Sequence, residues 1–396
     1  MKHLVVTFDF PPNAAGVGSF MAEIARRLDP AETTVLTLPQ PQAADADRPY
    51  RVIRRDMTSS NRLLRQVFRL RLVPEAAWVV IEAYRTYRHL RQAVRENRPD
   101  VIHCGHLLPV GLAGAMLDPD MSARLVLYAH GVELGPPQRF LFGPKLLQRI
   151  FGRVDLVCAT SETTVGVLKD MGVEGERIVH TPPPIDLERF SPGDGDPDLA
   201  ARYRLQGRRV VLAVGRLLPW RGFRTLVRAM PMVVRRHPDA TLVIVGGGSD
   251  AGRLADRVSA YRLEDAVRLV GVQPHETLPA WYRLAEMVVL PGTASMYGEY
   301  EGLGLSLIEG GACGRAAVAG RGSGPAEAVV EDETGLLCDG ADAEDIARAI
   351  NALLDDDALR HRMGQAARRH IERMLDGGNP LEELRRRLEE IGGGGQ

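Results

Sequence analysis

Short runs of aliphatic and β-branched residues, each followed by a loop and then by a stretch of helical spacing, recur along this chain. LVVTFD (Leu4–Asp9) leads into the loop FPPNAAGVGS and then into MAEIARRLD, whose apolar residues fall on one helix face. DVIHCGH (Asp100–His106), RLVLYAHG (Arg124–Gly131) and DLVCATS (Asp155–Ser161) repeat the theme with helical segments between them. Apolar runs without polar alternation are strands buried on both faces. Strands alternating with helices predict an α/β fold with parallel sheets covered on both sides. SPGDGDPD, from Ser191 to Asp198, interrupts the pattern with the composition of a linker. The pattern then restarts with RRVVLAVGR (Arg208–Arg216), a helix TLVRAMPMVVRRH, ATLVIVGGG (Ala240–Gly248), VRLVG, MVVLPG and GRAAVAG. A chain of 396 residues is longer than one core usually holds. The expectation is two Rossmann-like domains facing a cleft, residues 1–190 and 191–370. Residues 371–396 would form a C-terminal helix, PLEELRRRLEEI, and a disordered glycine tail.

Composition excludes several classes. Apolar content of 45% and charged content of 26% are those of an ordinary soluble protein. A formal net charge of −1 gives no global attraction to nucleic acid. Cys104, Cys158, Cys313 and Cys338 are too far apart for zinc-ligand or redox-motif spacing, which points to reduced thiols. The apolar run in MKHLVVTFDFPP is too short for a signal peptide, and no stretch approaches the length of a membrane span. A cytoplasmic protein is expected. Peripheral contact with an anionic membrane is left open by the segment Arg51 to Arg98, which carries twelve arginines against four acids. Within it Arg62, Arg65 and Arg69 would share a helix face beside Leu64, Val67 and Phe68. That face is either a solvated arginine surface or one that meets anionic lipid or a phosphorylated acceptor.

The densest chemical signal is EYEGLGLSLIEGGACG, from Glu299 to Gly314. Gly302 and Gly304 permit a tight turn and close approach of backbone to a ligand. A helix starting there would aim free N–H groups at an anion. Glu309 would lie inside that helix and Glu301 just before it. Phosphate would repel a carboxylate, so Glu309 is better suited to accept hydrogen bonds from sugar hydroxyls. A capping or solvated glutamate on a structural turn is the competing reading. In VGRLLPWRGF, Arg216 ends a strand and Arg221 follows five residues on. Strand ends of open α/β sheets face the ligand crevice, where two guanidiniums could clamp a diphosphate. Arginines in loops are otherwise surface charge. Gly16 and Gly18 lie in a strand-to-helix loop that lacks the full dinucleotide fingerprint, which argues against a nicotinamide dehydrogenase. His130 ends a strand in YAHGVEL, and no set of metal ligands accompanies it.

Taken together, DFPPNAAGVGSF, YAHGVEL, the GR…RG pair, EGLGLSLIEGGACG and SGPAEAVVEDETGLL (Ser323–Leu337) resemble the family 4 retaining glycosyltransferases of GT-B fold. The resemblance runs from about Lys2 to Arg369. Within that family, DFPP and EGLG…EGGACG look most like the phosphatidylinositol-mannoside mannosyltransferases, which use GDP-mannose. The resemblance implies that Glu309 holds the donor ribose hydroxyls and that Glu301 lies near the donor sugar. Arg216 would stand on the leaving diphosphate, with Arg221 where the family usually has lysine. Gly16 matches the second of two loop glycines near the donor phosphate, the first being Ala15 here. His130 matches a histidine near the reacting sugar, and the backbone at Val272 matches the base-reading loop. Gly302, Leu303, Gly304 and Leu305 complete the donor-binding turn.

The resulting expectation is a glycosyltransferase that moves a mannose-like hexose from a nucleotide diphosphate sugar to an acceptor hydroxyl, with retention. GDP-mannose is the leading donor and a UDP-sugar its rival. The acceptor is lipid-linked or a small soluble molecule such as a cyclitol. No metal and no cofactor beyond the donor co-substrate is expected. A non-catalytic nucleotide-sugar-binding subunit is the reading from another class.

Overall fold

The computed structural model describes the whole chain except residues 12–15, 41–44, 46–47, 59–74, 120, 132, 136–142, 293–302, 323, 377–379 and 394–396. The arginine face at Arg62, Arg65 and Arg69 therefore lies outside the described residues, as do Glu301 and Gly302. The chain divides into two compact units, Met1–Pro184 with Gly378–Gln396, and Ile185–Gly377.

The first unit is built on a seven-stranded parallel sheet in the order β3-β2-β1-β4-β5-β6-β7. Its strands are β1 (His3–Val6), β2 (Thr33–Thr37), β3 (Arg51–Arg54), β4 (Val101–Cys104), β5 (Arg124–Ala129), β6 (Leu156–Ala159) and β7 (Ile178–His180). β4, β5 and β6 coincide with apolar runs of the sequence. β2, β3 and β7 carry Thr, Arg or His among few apolar residues, so no run announces them. β2 and β7 form because β1 and β6 offer parallel partners, as in the register Val5↔Val35 and Cys158↔Val179, and β3 forms on β2, as in Val35↔Val52. Helix Glu162–Asp170 begins where the Ser161 hydroxyl accepts the Thr164 N–H at 3.1 Å, satisfying one donor of its first turn.

One face of this sheet is closed by the end of the chain. Leu381, Leu384 and Leu388 of helix Pro380–Gly393 are buried with Val5, Phe20, Ile24, Val126 and Tyr128 in one apolar cluster. The Arg124 guanidinium donates to the Ile391 carbonyl at 3.0 Å, and Arg387 to the Glu176 carbonyl at 3.2 Å.

Beneath that helix runs a buried polar file. His3 Nδ1 lies 3.0 Å from His103 Nε2, and His103 Nδ1 lies 3.0 Å from the Tyr128 hydroxyl. Burial lowers the pKa of His3 to about 4 and that of His103 well below the ordinary histidine value.

The second unit holds a six-stranded parallel sheet in the order β10-β9-β8-β11-β12-β13. Its strands are β8 (Arg209–Val214), β9 (Ala240–Val245), β10 (Val267–Gly271), β11 (Met287–Leu290), β12 (Ala316–Gly320) and β13 (Gly335–Cys338). β9, β11 and β12 are buried at every residue. Helix Phe223–Arg236 turns Phe223, Leu226, Val227, Met230 and Val233 to the sheet, the spacing of one helix face. Helix Ala343–Asp355 packs beside it with Ile346, Ile350 and Leu353 buried. Among the described residues, no helix is long and apolar enough to cross a membrane.

Helix Glu75–Asn97 of the first unit has an unusual outer face. Val80 and Tyr84 are each 54% exposed and Ile81 is exposed beside them. Arg88, Arg91 and Arg95, also exposed, continue the same stripe at helical spacing.

Histidines held neutral in the fold but protonated when unfolded give a signed pH dependence. The unfolded state binds more protons between about pH 6.5 and pH 4, so the stability of the first unit should rise with pH through that window. Urea midpoints at pH 7 and pH 5 are expected to differ more in the wild type than in His103→Gln. Equal differences would show that the buried file does not govern the acid limb.

Candidate functional site

In the second sheet the strand order reverses between β8 and β11, so the loops leaving these two strands diverge and open a crevice at their carboxyl ends. Arg216 and Arg221 occupy the loop after β8. Arg216 is exposed and Arg221 partly buried. The loop is pinned on both sides. Leu217 N–H donates to the Gly247 carbonyl at 2.9 Å, and Asp250 N–H donates to the Leu217 carbonyl at 3.0 Å. Arg224 grips the buried Asp250 carboxylate with two donors, one at 2.6 Å. Gly292 N–H, after β11, reaches the Arg221 carbonyl at 3.3 Å. The triple glycine after β9 is needed for this packing: a Cβ on Gly246 would lie 1.9 Å from the Gly215 carbonyl oxygen. Arg221 Nη1 lies 3.0 Å from where a Gly215 Cβ would sit, which places the guanidinium against the end of β8.

Val272 follows β10. It is 76% exposed, and its Cγ2 lies only 2.7 Å from the position a Gly247 Cβ would take. An aliphatic side chain held open to solvent beside bare backbone is suited to contact a flat ring.

The helix after β11 is Leu305–Ala312. Gly304 starts it in the left-handed conformation, φ 75°, and a Cβ there would be 3.1 Å from Leu290 Cδ2. No side chain caps this end. Leu303 is buried and Leu305 partly so. Ser306, in the first turn, is buried and its hydroxyl has no hydrogen-bond partner among the described residues.

Glu309 lies one turn into the helix and is 3% exposed. The Tyr282 hydroxyl donates to its Oε2 at 2.6 Å, and His275 Nε2 stands 3.0 Å from its Oε1. An ionised carboxylate only accepts, so His275 Nε2 carries the proton of that bond. Burial, and then the Glu309 charge, push the Tyr282 pKa well above the ordinary phenol value.

Two candidates belong to the first unit. His130 directly follows β5 and is half-buried. Its Nε2–H donates to the Gly105 carbonyl at 3.1 Å, its own N–H donates to Glu133 Oε1 at 2.7 Å, and Phe20 packs edge-on at 5.2 Å. Burial lowers its pKa against the opposing pull of Glu133 and the Gly105 carbonyl, so the ring favours the neutral form. Gly16 caps helix Val17–Arg27 with φ 60°, has no side-chain cap, and has open space around the position of a Cβ.

The second unit thus gathers Arg216, Arg221, Val272, Leu303, Gly304, Leu305 and Glu309 on the carboxyl side of one sheet. His130 and Gly16 occupy the equivalent side of the other sheet. His275 and Tyr282 were not singled out in the sequence. The signal available was their place in VGVQPHETLPAWY, just beyond Val272.

Two doubly wound parallel units of this kind are the architecture of the GT-B glycosyltransferases. HepE of Anabaena, solved with UDP and glucose, superposes with a TM-score of 0.80 over 98% of this chain and 100% of its own, at 18% identity. A sucrose-phosphate synthase from Thermosynechococcus elongatus gives 0.78 at 23% identity over 99% of this chain and 100% of its own. Residues 14–189 match the model for Glycosyltransferase Family 4, and residues 198–370 match that for Glycosyl transferases group 1. A GDP-mannose-dependent alpha-(1-6)-phosphatidylinositol monomannoside mannosyltransferase of Mycolicibacterium smegmatis is 30% identical over 380 residues, 92% of each chain. A D-inositol 3-phosphate glycosyltransferase of Salinispora arenicola is 30% identical over 389 residues, 90% of this chain and 83% of its own. The chain belongs to the family 4 glycosyltransferases, and it is an enzyme of that class.

Gly304→Ala should destabilise the second unit by about 1–2 kcal/mol, because an L-residue in the left-handed region carries that strain. Urea denaturation of the variant checks this. An unchanged midpoint would mean that the turn before the helix relaxes.

Proposed function

We propose that this enzyme transfers a mannose-like hexose from GDP-mannose, with retention, to a hydroxyl of an inositol-phosphate acceptor carried on a lipid. The observation that carries this reading is the likeness to the Mycolicibacterium smegmatis mannosyltransferase along 92% of both chains. The charge arrangement of the second unit supports it. Arg216 and Arg221 would stabilise the leaving diphosphate, whose negative charge grows as the glycosidic bond breaks. Arg221 offers a planar fork where the family usually has a point charge, so it would engage two phosphate oxygens rather than one. Glu309 would accept from the ribose hydroxyls, with Val272 beside the base. Gly304, Leu305 and the uncapped helix start would face phosphate. Glu301 and Gly302 are assigned to the donor sugar and its turn on the sequence motif alone.

The first unit would supply the acceptor side. His130 donates through Nε2 to Gly105, which leaves Nδ1 as an acceptor for a sugar hydroxyl. In a one-face reaction the departing donor phosphate takes the acceptor proton, and positioning and fixed charge supply the rest.

A soluble inositol phosphate is the second reading for the acceptor, favoured by the likeness to the Salinispora arenicola enzyme. Both share an anionic cyclitol. For the lipid-linked form, the stripe of Val80, Ile81 and Tyr84 followed by Arg88, Arg91 and Arg95 is suited to an anionic bilayer surface.

Thermal shift with GDP, UDP and ADP tests the donor. GDP should raise the melting temperature most, and Glu309→Gln should weaken GDP binding roughly tenfold to a hundredfold, the worth of a charged hydrogen bond. No shift with any of the three would overturn the donor reading.

Sedimentation with phosphatidylinositol vesicles at low salt tests the membrane reading. The wild type should bind and Ile81→Ser/Tyr84→Ser should lose most binding. If the wild type stays in the supernatant yet turns over a soluble inositol phosphate, the second acceptor reading replaces the first.

A further inference from the structure

A buried carboxylate is useful to a ligand only if its orientation is fixed. Glu309 is held by two side chains from outside its own helix. Tyr282 lies in helix Leu278–Leu284 and His275 in the turn His275–Thr277 before it. Each donates to a different oxygen of the carboxylate, at 2.6 and 3.0 Å. Phe190 backs both donors, with its ring 5.4 Å from His275 and 6.1 Å from Tyr282. The Phe190 carbonyl is itself fastened by Arg368 Nη1 at 2.8 Å.

A carboxylate has about four lone-pair sites. The two internal donors use one on each oxygen and leave one on each for a ligand with two adjacent hydroxyls. The segment that carries His275 also carries Val272, three residues earlier.

We infer that His275 and Tyr282 are positioning residues for the nucleotide: they aim Glu309 at the ribose diol, and His275 ties that carboxylate to the segment that meets the base. This rests on the reading of Glu309 as the ribose ligand. Its consequence is that base and ribose are recognised by one connected piece of structure. A base that displaces the Val272 segment also disturbs the carboxylate that holds the sugar.

A purely structural role for these residues would weaken binding of every nucleotide alike. A role through Glu309 acts only where ribose hydroxyls are present. The discriminating probes are GDP and 2′,3′-dideoxy-GDP, with UDP and 2′,3′-dideoxy-UDP run in parallel, titrated calorimetrically against the wild type, Tyr282→Phe, His275→Leu and His275→Gln. Tyr282→Phe and His275→Leu should bind the ribose nucleotide about tenfold to a hundredfold more weakly. Both should bind its dideoxy analogue as the wild type does. His275→Gln, which keeps a donor near the same place, should recover part of the loss.

Equal losses for both nucleotides, or none for either, would overturn the inference while leaving the ribose role of Glu309 standing, provided that the wild type prefers the ribose form. A wild type that does not distinguish the two forms, or binds none of the four, would overturn the ribose role and the inference together.

Discussion

The pairing of β8 with β11 governs the second unit. Met287 aligns with Val211 and Val288 with Leu212, although the two strands are far apart in the chain. To one side of this pair the sheet grows through β9 and β10, to the other through β12 and β13. The loops leaving the pair must therefore part. Arg216 and Arg221 come from one loop, and the helix carrying Glu309 follows the other. Both loops open at the same carboxyl end of the sheet because strand order demands it.

Much of the fold was legible because the strands that matter most are buried on both faces. β4, β5, β6, β8, β9, β11 and β12 lie in mostly apolar runs of strand length, bounded by loops and alternating with helical segments, which together read as buried parallel strands. β2, β3 and β7 were not legible, since Thr33–Thr37, Arg51–Arg54 and Ile178–His180 lack such a run. They are strands because a neighbouring edge is available, which is a property of the sheet and not of the segment. The helices Phe223–Arg236 and Pro380–Gly393 were legible from their periodicity.

The site divides in the same way. Arg216 and Glu309 stand out as candidates because each lies in a local pattern of glycine, charge and aliphatic residues. The partners of Glu309 do not, because a hydrogen bond between residues 27 or 34 positions apart leaves no periodic trace. Tyr282 reads as one more apolar residue of a short helix, and His275 as a polar residue in a turn. Only the folded carboxylate reveals what they do.

Helix Pro380–Gly393 has a consequence for how the molecule is made. The sheet of the first unit is synthesised early, yet one of its faces is covered by Leu381, Leu384 and Leu388, which follow the whole of the second unit in the chain. During translation the second unit can complete its core first, since Ile185–Gly377 is continuous in the chain. The first unit must wait with Val5, Val126 and Tyr128 incompletely covered until helix Pro380–Gly393 has emerged. Such exposed surface on a waiting intermediate is a target for chaperones and a route to aggregation. The amino-terminal half of this enzyme is thus begun first and finished last.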